Sequence, residues 1–145
     1  MDTGRIMVAL DGSSRAEAAL TVAESLASRP DTVLFLVRPA GVPELGAAAQ
    51  YLGAVAAWLR DQGVQRVETV SVPGPAAAVI VDAARTQNAD VIVMATSGRG
   101  GVARRMAGGV AETVVRSTQT PVFLARVGDM RVSSVRSRAE VGAAS

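Results

Sequence analysis

The chain has 145 residues, with 15 basic and 13 acidic side chains and with neither histidine nor cysteine. The absence of histidine and cysteine excludes disulfides, thiol nucleophiles, Cys/His zinc sites and imidazole acid–base catalysis. All 15 basic residues are arginine, which also excludes a Walker-type phosphate loop and a Schiff-base lysine.

Composition predicts one globular domain that does not contact a membrane. Hydrophobic residues make up 49% of the sequence, which is enough for a packed core. The longest uncharged helical stretch, residues 45–59, is shorter than the ~20 residues of a membrane span. The first residues lack the pattern of a signal peptide. We therefore expect a cytoplasmic protein, and a net charge of +2 is too small to indicate a nucleic-acid partner.

Five short apolar runs predict β-strands. The first, second and fourth are almost wholly apolar, as in parallel strands that are covered on both faces. The third alternates polar and apolar residues, which is typical of an edge strand, and the fifth opens with a proline that is tolerated at a strand start. The predicted strands are Ile6–Leu10, Thr32–Val37, Gln65–Val72, Asp90–Ala95 and Pro121–Val127.

Four stretches between these runs have the spacing of helices that bury one face. Ser14 fits the N-cap of the first helix, Gly63 ends the second, Pro75 takes the first position of the third, and the fourth begins near Gly109. The residues expected to face the core are Ala19, Val22, Ala23, Leu26, Ala48, Leu52, Val55, Leu59, Ala77, Ile80, Val81, Ala84, Val110, Val114 and Val115. The alternation of strand and helix predicts an α/β fold, an open five-stranded parallel sheet with helices on both faces.

Residues 128–145 show no periodicity. We expect them to form a flexible tail after a domain of residues 1–127. The alternative is a basic arm, carrying Arg131, Arg136 and Arg138, that docks on a partner.

The connection after the fourth strand has the composition of a site for a polyanion. In open α/β sheets, ligands bind beyond the carboxyl ends of the strands, where the winding reverses. Residues 96–108 form a connection longer than the usual ~2–6 residues. Its glycines allow main-chain N–H groups to approach an anion, and its arginines add charge. The alternative is a glycine-rich loop with solvated arginines. The residues concerned are Gly98, Gly100, Gly101, Gly108, Gly109, Arg99, Arg104 and Arg105.

Asp11 follows the first strand at the same edge of the predicted sheet. Because Ser14 already fits the role of helix cap, the carboxylate of Asp11 is available to accept hydrogen bonds from the hydroxyls of a sugar. Its charge disfavours direct contact with phosphate. The alternative is that Asp11 only initiates the turn or caps the first helix.

Three segments taken together resemble the universal stress protein family, and the resemblance spans about residues 5–127. They are Val8-Ala9-Leu10-Asp11-Gly12-Ser13, then Ala89 to Ala95 leading into Ser97-Gly98-Arg99-Gly100-Gly101, and Pro121 to Arg126. ATP-binding members of that family carry G-x-x-G-x9-G-[S/T].

The match to this motif is degenerate. Gly98 and Gly108 match, but Ala95 replaces the first glycine and Gly109 replaces the residue whose hydroxyl contacts phosphate. The extra methyl group crowds the ligand, and the missing hydroxyl removes a hydrogen bond of roughly 0.5–1.5 kcal/mol. We therefore expect weakened nucleotide binding.

The resemblance implies a Rossmann-like sheet of the adenine nucleotide alpha hydrolase-like type, with strand order 3-2-1-4-5, that binds ATP with or without Mg²⁺. Asp11 would hold the ribose, the backbone around Val37 would meet the adenine edge, and the glycine-rich connection would line the phosphates. The implied nucleotide-binding residues are Asp11, Ser13, Val37, Ala95, Ser97, Gly98, Arg99, Gly108, Gly109 and Val110.

The resemblance also implies a stress-response sensor or regulator that acts through a homodimer or another protein partner. Family members commonly pair through the last strand. Pro121–Val127 ends the predicted sheet, so its uncovered edge is a physical reason for pairing; the alternative is that the tail covers this edge.

We expect no catalytic residues and at most slow ATP hydrolysis, because no serine near the site has an activating base. Two other functions stay open: a nucleotide-independent dimeric adaptor of the same fold, and an enzyme that adenylylates or hydrolyses a substrate.

Overall fold

The computed structural model describes residues 4–10, 18–27, 29–97, 109–127 and 132–135. The elements in chain order are β1 (Arg5–Ala9), α1 (Ala18–Leu26), β2 (Val33–Pro39), a 3₁₀ turn (Val42–Glu44), α2 (Leu45–Asp61), β3 (Arg66–Val72), α3 (Ala76–Thr86), β4 (Val91–Ser97), α4 (Val110–Ser117), β5 (Val122–Val127) and β6 (Val132–Val135).

The sheet has the strand order β3-β2-β1-β4-β5-β6. The first five strands in this order pair in parallel, which confirms the α/β fold and the order 3-2-1-4-5. β3 pairs with β2 and lies at one end of the sheet, as its alternating pattern predicts. No helix in the described ranges is long and apolar enough to cross a membrane.

Helices pack on both faces of the sheet and divide the core into two clusters. Ile6 and Val8 of β1 lie in the cluster under α1 and α2, whereas Met7 and Ala9 lie in the cluster under α3 and α4. Successive side chains of a strand point to opposite faces. A central strand covered on both faces is therefore apolar at every position.

The longest helix, α2, follows its predicted spacing. Ala48, Leu52, Val55 and Leu59 are all buried against the sheet. The chain leaves the helix at Gly63, which has a φ of +103°. This backbone conformation disfavours side chains with a Cβ, so glycine ends the helix as predicted.

The helix starts and faces differ from the prediction in α3 and α4. Pro75 is the N-cap of α3, with extended backbone at φ −61° and ψ 135°, so the helix begins one residue later than predicted. In α4, Val114 is buried as predicted, but Ala111 is the second buried residue and Val110 is 39% exposed. An eight-residue helix contains too few turns for its spacing to define which face is buried.

The remaining inward positions are partly confirmed. Ala19, Ala23, Ile80 and Ala84 are buried, whereas Val22, Leu26, Ala77, Val81 and Val115 are partly buried and pack at the margins of the two clusters.

The prediction that β5 ends the sheet is wrong. β6 pairs antiparallel with β5, from Val122–Val135 to Ala125–Val132, and therefore covers its outer edge. Residues 132–135 fall within the predicted tail, because a four-residue segment with two valines has no recognisable strand pattern. Its pairing depends on the neighbouring edge, which sequence periodicity does not reveal. The predicted homodimer through β5 stays a prediction.

Candidate functional site

The candidate site lies where β1 and β4 separate. The pairing of these strands runs from Ile6–Val91 to Val8–Val93. On its other edge, β4 stays paired with β5 as far as Ser97–Val127. β1 meanwhile stays paired with β2 to Ala9–Val37. At their carboxyl ends, β1 thus remains paired with β2 and β4 remains paired with β5, while β1 and β4 are no longer paired with each other. This is the topological switch point, where open α/β sheets bind ligands.

Val37, which was predicted to meet an adenine edge, lies on the β2 side of this opening. Its side chain is fully buried, and its carbonyl oxygen accepts a hydrogen bond of 2.9 Å from the N–H of Leu10. The carbonyl oxygen of the next residue, Arg38, accepts a hydrogen bond of 3.2 Å from the Ser71 hydroxyl. An adenine ring that bonded to either carbonyl group would therefore compete with hydrogen bonds that the protein already makes.

Arg38 is the nearest described cation to Val37 along the chain, and its charge is directed to the helix layer. Its guanidinium carbon lies 5.0 Å from the centre of the Tyr51 ring on α2. This is the geometry of a cation–π contact. Arg38 therefore supports the packing of α2 on β2.

Ala95 and Ser97 lie on the β4 side of the opening. Ala95 is half-buried and pairs with Ala125 of β5, and the backbone of Ser97 pairs with Val127. Ala95 also packs against the core cluster under α1 and α2. Ala95, which stands where the family motif has a glycine, therefore lies within β4, two residues before the end of the strand.

Gly109 and Val110 form the start of α4. Gly109 is the N-cap, with extended backbone at φ −94° and ψ −169°, and no side chain of the described residues caps the helix. Its carbonyl accepts hydrogen bonds from the N–H of Thr113 at 3.1 Å and from the Thr113 hydroxyl at 2.9 Å. The first N–H groups of such a helix, together with its positive dipole end, favour an anion.

Glu112 is a residue of this helix end that the sequence analysis missed. It lies in the first turn of α4, and its carboxylate contacts the guanidinium of Arg116 at 3.0 Å, one turn further on. A carboxylate in the first turn stabilises the helix but repels a phosphate at the same N-terminus. The signal in the sequence is that Glu112 follows Gly109 by three residues, which places it in the first turn of a helix that begins there.

The remaining predicted site residues lie outside the described residues. They are Asp11, Ser13, Gly98, Arg99 and Gly108, together with Ser14, Gly100, Gly101, Arg104 and Arg105 of the wider prediction. Of the ten residues implied for the nucleotide, the structure therefore describes Val37, Ala95, Ser97, Gly109 and Val110. In this part of the chain, no cluster of three or more acidic side chains is arranged to hold a metal ion.

Comparison with known proteins gives the family. The model of the universal stress protein family matches residues 3–126, and no curated protein sequence matches the chain.

Solved structures share the fold. A universal stress protein in complex with cAMP is 21% identical with a TM-score of 0.77, over 88% of this chain and 100% of that chain. A universal stress protein from Archaeoglobus fulgidus DSM 4304 is 25% identical with a TM-score of 0.73, over 90% of this chain and 46% of that chain. A universal stress protein family member from Burkholderia pseudomallei is 26% identical with a TM-score of 0.60, over 84% of this chain and 95% of that chain. The chain described here therefore belongs to the universal stress protein family.

Proposed function

We propose that this protein binds an adenine nucleotide between β1 and β4 and acts as a stress-response sensor or regulator. The observation that carries the proposal is the separation of β1 and β4 after Val8 and Val93. Family membership supports it, as does the cAMP complex of a protein with the same fold.

The start of α4 is the described part of the proposed phosphate site. A strand-to-strand crossover helix begins at the carboxyl edge of the sheet, so its N-terminus points toward the opening. Gly109, the N-cap residue, has no side chain that could cap this N-terminus. The proposed ligand is ATP. Any Mg²⁺ would bind chiefly through the ATP phosphates, as is usual for this ion.

Three features predict weak binding. Ala95 adds a methyl group beside the opening, Gly109 supplies no hydroxyl, and Glu112 adds a negative charge to the first turn of α4. We therefore propose a sensor that responds to millimolar rather than trace nucleotide concentrations. The bound state would be read out by a protein partner or by a second copy of the chain.

The test is nucleotide release and stabilisation. The purified protein is denatured and the supernatant is analysed for nucleotide. Its thermal unfolding is then followed with ATP, ATP and Mg²⁺, AMP and cAMP. A millimolar site loses most of its nucleotide during purification, so released nucleotide would indicate tighter binding than proposed, and the thermal shift decides. At about ten times Kd, bound nucleotide stabilises the native state by about 1.4 kcal/mol. No shift at about 10 mM nucleotide would contradict the proposal and favour the nucleotide-independent adaptor.

Asp11→Ala tests whether the expected carboxylate binds the ribose. We expect it to reduce the ATP-dependent shift. Asp82→Ala is the matched control, because Asp82 is exposed on α3 and pairs only with the nearby Arg85 among the described residues. Equal shifts in the two variants would contradict the role of Asp11. Steady phosphate release that Asp11→Ala abolishes would favour an enzyme instead.

A further inference from the structure

A groove runs between α3 and the neighbouring face of β3, on the side of the sheet opposite α2. α3 packs chiefly against β2 and α4, so it covers the adjoining face of β3 only in part. Val70 and Val72 of β3 belong to this face and stay partly exposed. The groove has a volume of about 390 Å³, which is within the range of ~300–1,000 Å³ that is usual for small-molecule sites.

Most of the groove is lined by apolar side chains. Phe35 of β2 and Val79 and Ala83 of α3 line it from the core and are buried. Val70 and Val72 line it from β3. None of these side chains carries a hydrogen-bonding group, so this surface favours the apolar part of a ligand over water.

Both ends of the groove are bounded. Residues 73–75, Pro-Gly-Pro, line the end at which β3 leads into α3. At the other end, the Arg5 guanidinium donates to the main-chain carbonyl of Gln87 at 2.7 Å and to its Oε1 at 3.1 Å, and lies 3.4 Å from Oε1 of Glu68. A groove with two bounded ends accommodates a small molecule rather than an extended peptide, which would have to leave at both ends.

Asp82 makes the groove negative. Among the described residues that line the groove, it is the one with a charged side chain. Thr86 lies one turn further along the same side of α3 and also lines the groove. Its hydroxyl donates to the carbonyl of Ala83 at 3.4 Å, which leaves the oxygen able to accept. A carboxylate and a hydroxyl oxygen are the acceptors that an ammonium group requires.

We propose that this α3–β3 groove binds a small primary amine with a branched or aromatic apolar group. The apolar group lies against Val70, Val72 and Phe35, and the ammonium group donates to Asp82 and Thr86. None of the lining residues belongs to the candidate nucleotide site. The inference therefore goes beyond the proposed function and does not depend on it.

Charge selects an amine over other molecules of the same shape. A carboxylate in the position of the ammonium group would be repelled by Asp82. A hydroxyl group can donate to the same acceptors, but hydrogen bonds between charged groups are stronger than those of a neutral donor. We therefore expect an amine to bind more tightly than the corresponding alcohol, and the alcohol more tightly than the corresponding carboxylate.

Arg85 competes with the ligand for Asp82. Its guanidinium lies 2.6 Å from Oδ1 of Asp82, and both side chains are exposed. Arg85 does not line the groove, so Oδ2 stays available on the groove side of the carboxylate. Because Asp82 is exposed and shares its charge with Arg85, we expect millimolar rather than micromolar binding.

The test compares phenethylamine, phenethyl alcohol and hydrocinnamate, which carry the same phenyl group and end in ammonium, hydroxyl and carboxylate groups. Each is titrated into the isotope-labelled full-length protein at one pH and salt concentration, and NMR spectra follow the valine methyl groups and the main-chain amides. We expect phenethylamine to shift the signals of Val70, Val72 and Val79. We also expect it to bind at least about threefold more tightly than phenethyl alcohol, with hydrocinnamate the weakest.

Asp82→Asn and Arg85→Gln separate the ligand contact from the ion pair. Both remove the same ion pair on α3, so each is the matched control for the other. Asp82→Asn removes the acceptor charge, and we expect phenethylamine to bind at least about threefold more weakly. Arg85→Gln removes the competing cation, and we expect phenethylamine to bind about twofold more tightly. The affinity for phenethyl alcohol should change little in either variant.

Two results would overturn the proposal. One is phenethylamine that binds no more tightly than phenethyl alcohol, or that shifts signals only outside the groove. The other is a change of the same direction in Asp82→Asn and Arg85→Gln, since the Asp82 carboxylate would then not contact the ammonium group.

Discussion

Arg5 and Asp90 join the amino ends of β1 and β4 through their main chains and one carboxylate. The N–H of Asp90 donates to the carbonyl of Arg5 at 2.8 Å, and the N–H of Arg5 donates to Oδ2 of Asp90 at 2.9 Å. The same oxygen accepts the N–H of Gly4 at 2.9 Å. The two central strands are therefore joined at the edge opposite the candidate site and separate at the site itself.

Removal of the Asp90 carboxylate is expected to destabilise the fold without changing the candidate site, which lies at the opposite edge of the sheet. Asp90→Ala leaves two main-chain N–H groups without their acceptor, and we expect the free energy of unfolding to fall by about 1–2 kcal/mol. Urea unfolding measures it. Asp82→Ala, which removes an exposed ion pair with Arg85, should change stability by less than about 0.5 kcal/mol. Equal losses in the two variants would contradict a special role for Asp90.

Gly109→Ser is expected to strengthen nucleotide binding. The extended backbone of Gly109 accepts serine without strain, and the hydroxyl can cap the free helix or contact a phosphate. We expect a stability gain of a few tenths of a kcal/mol and tighter ATP binding by roughly 0.5–1.5 kcal/mol, measured by calorimetry. A stabilised variant with unchanged affinity would show that the hydroxyl serves the helix alone.

Ala95→Gly tests crowding beside the opening. Removal of the methyl group should lower stability by roughly 0.5–1 kcal/mol, because glycine weakens a strand, yet raise the affinity for ATP. Ala125→Gly is the matched control, since Ala125 is the partner of Ala95 on β5. If both variants lose stability and neither gains affinity, the methyl group of Ala95 does not limit binding.

Glu112→Gln tests the electrostatics of the α4 N-terminus. The substitution removes a negative charge from the proposed phosphate site. It also removes the ion pair in which the Glu112 carboxylate lies 3.0 Å from the Arg116 guanidinium. We expect several-fold tighter ATP binding at low salt and a smaller gain at high salt, because salt screens such interactions. Glu44→Gln, at the start of α2, should leave ATP binding unchanged. A gain independent of salt would argue against a charge effect.

A chain ending at Val127 tests the role of β6. Its loss exposes the outer edge of β5, and open strand edges pair with other chains. We expect stronger self-association than in the full chain. Sedimentation of the truncated and full-length chains at equal concentrations measures it. A truncated chain that associates no more than the full one would show that β5 does not need this cover.

The α/β fold could be predicted because its strands and helices repeat a local pattern. β1 is apolar from Ile6 to Ala9 because helices cover both faces of the sheet. The spacing of Ala48, Leu52, Val55 and Leu59 indicates which side of α2 is buried. Where a segment was short, the prediction failed. The buried face of α4 depends on α3, which is remote in the chain, and the existence of β6 depends on its pairing with the edge of β5 rather than on a pattern within its own four residues.

The same division holds for the candidate site. The sequence alone determined that a glycine-rich connection follows β4 and that Ala95 and Gly109 depart from the family motif, because these are statements about residue identity. Only the tertiary structure decided that β1 and β4 separate after Val8 and Val93 and that the carbonyl of Val37 is already bonded to Leu10. Hydrogen bonds between strands join residues far apart in the chain, and periodicity within one segment carries no information about them.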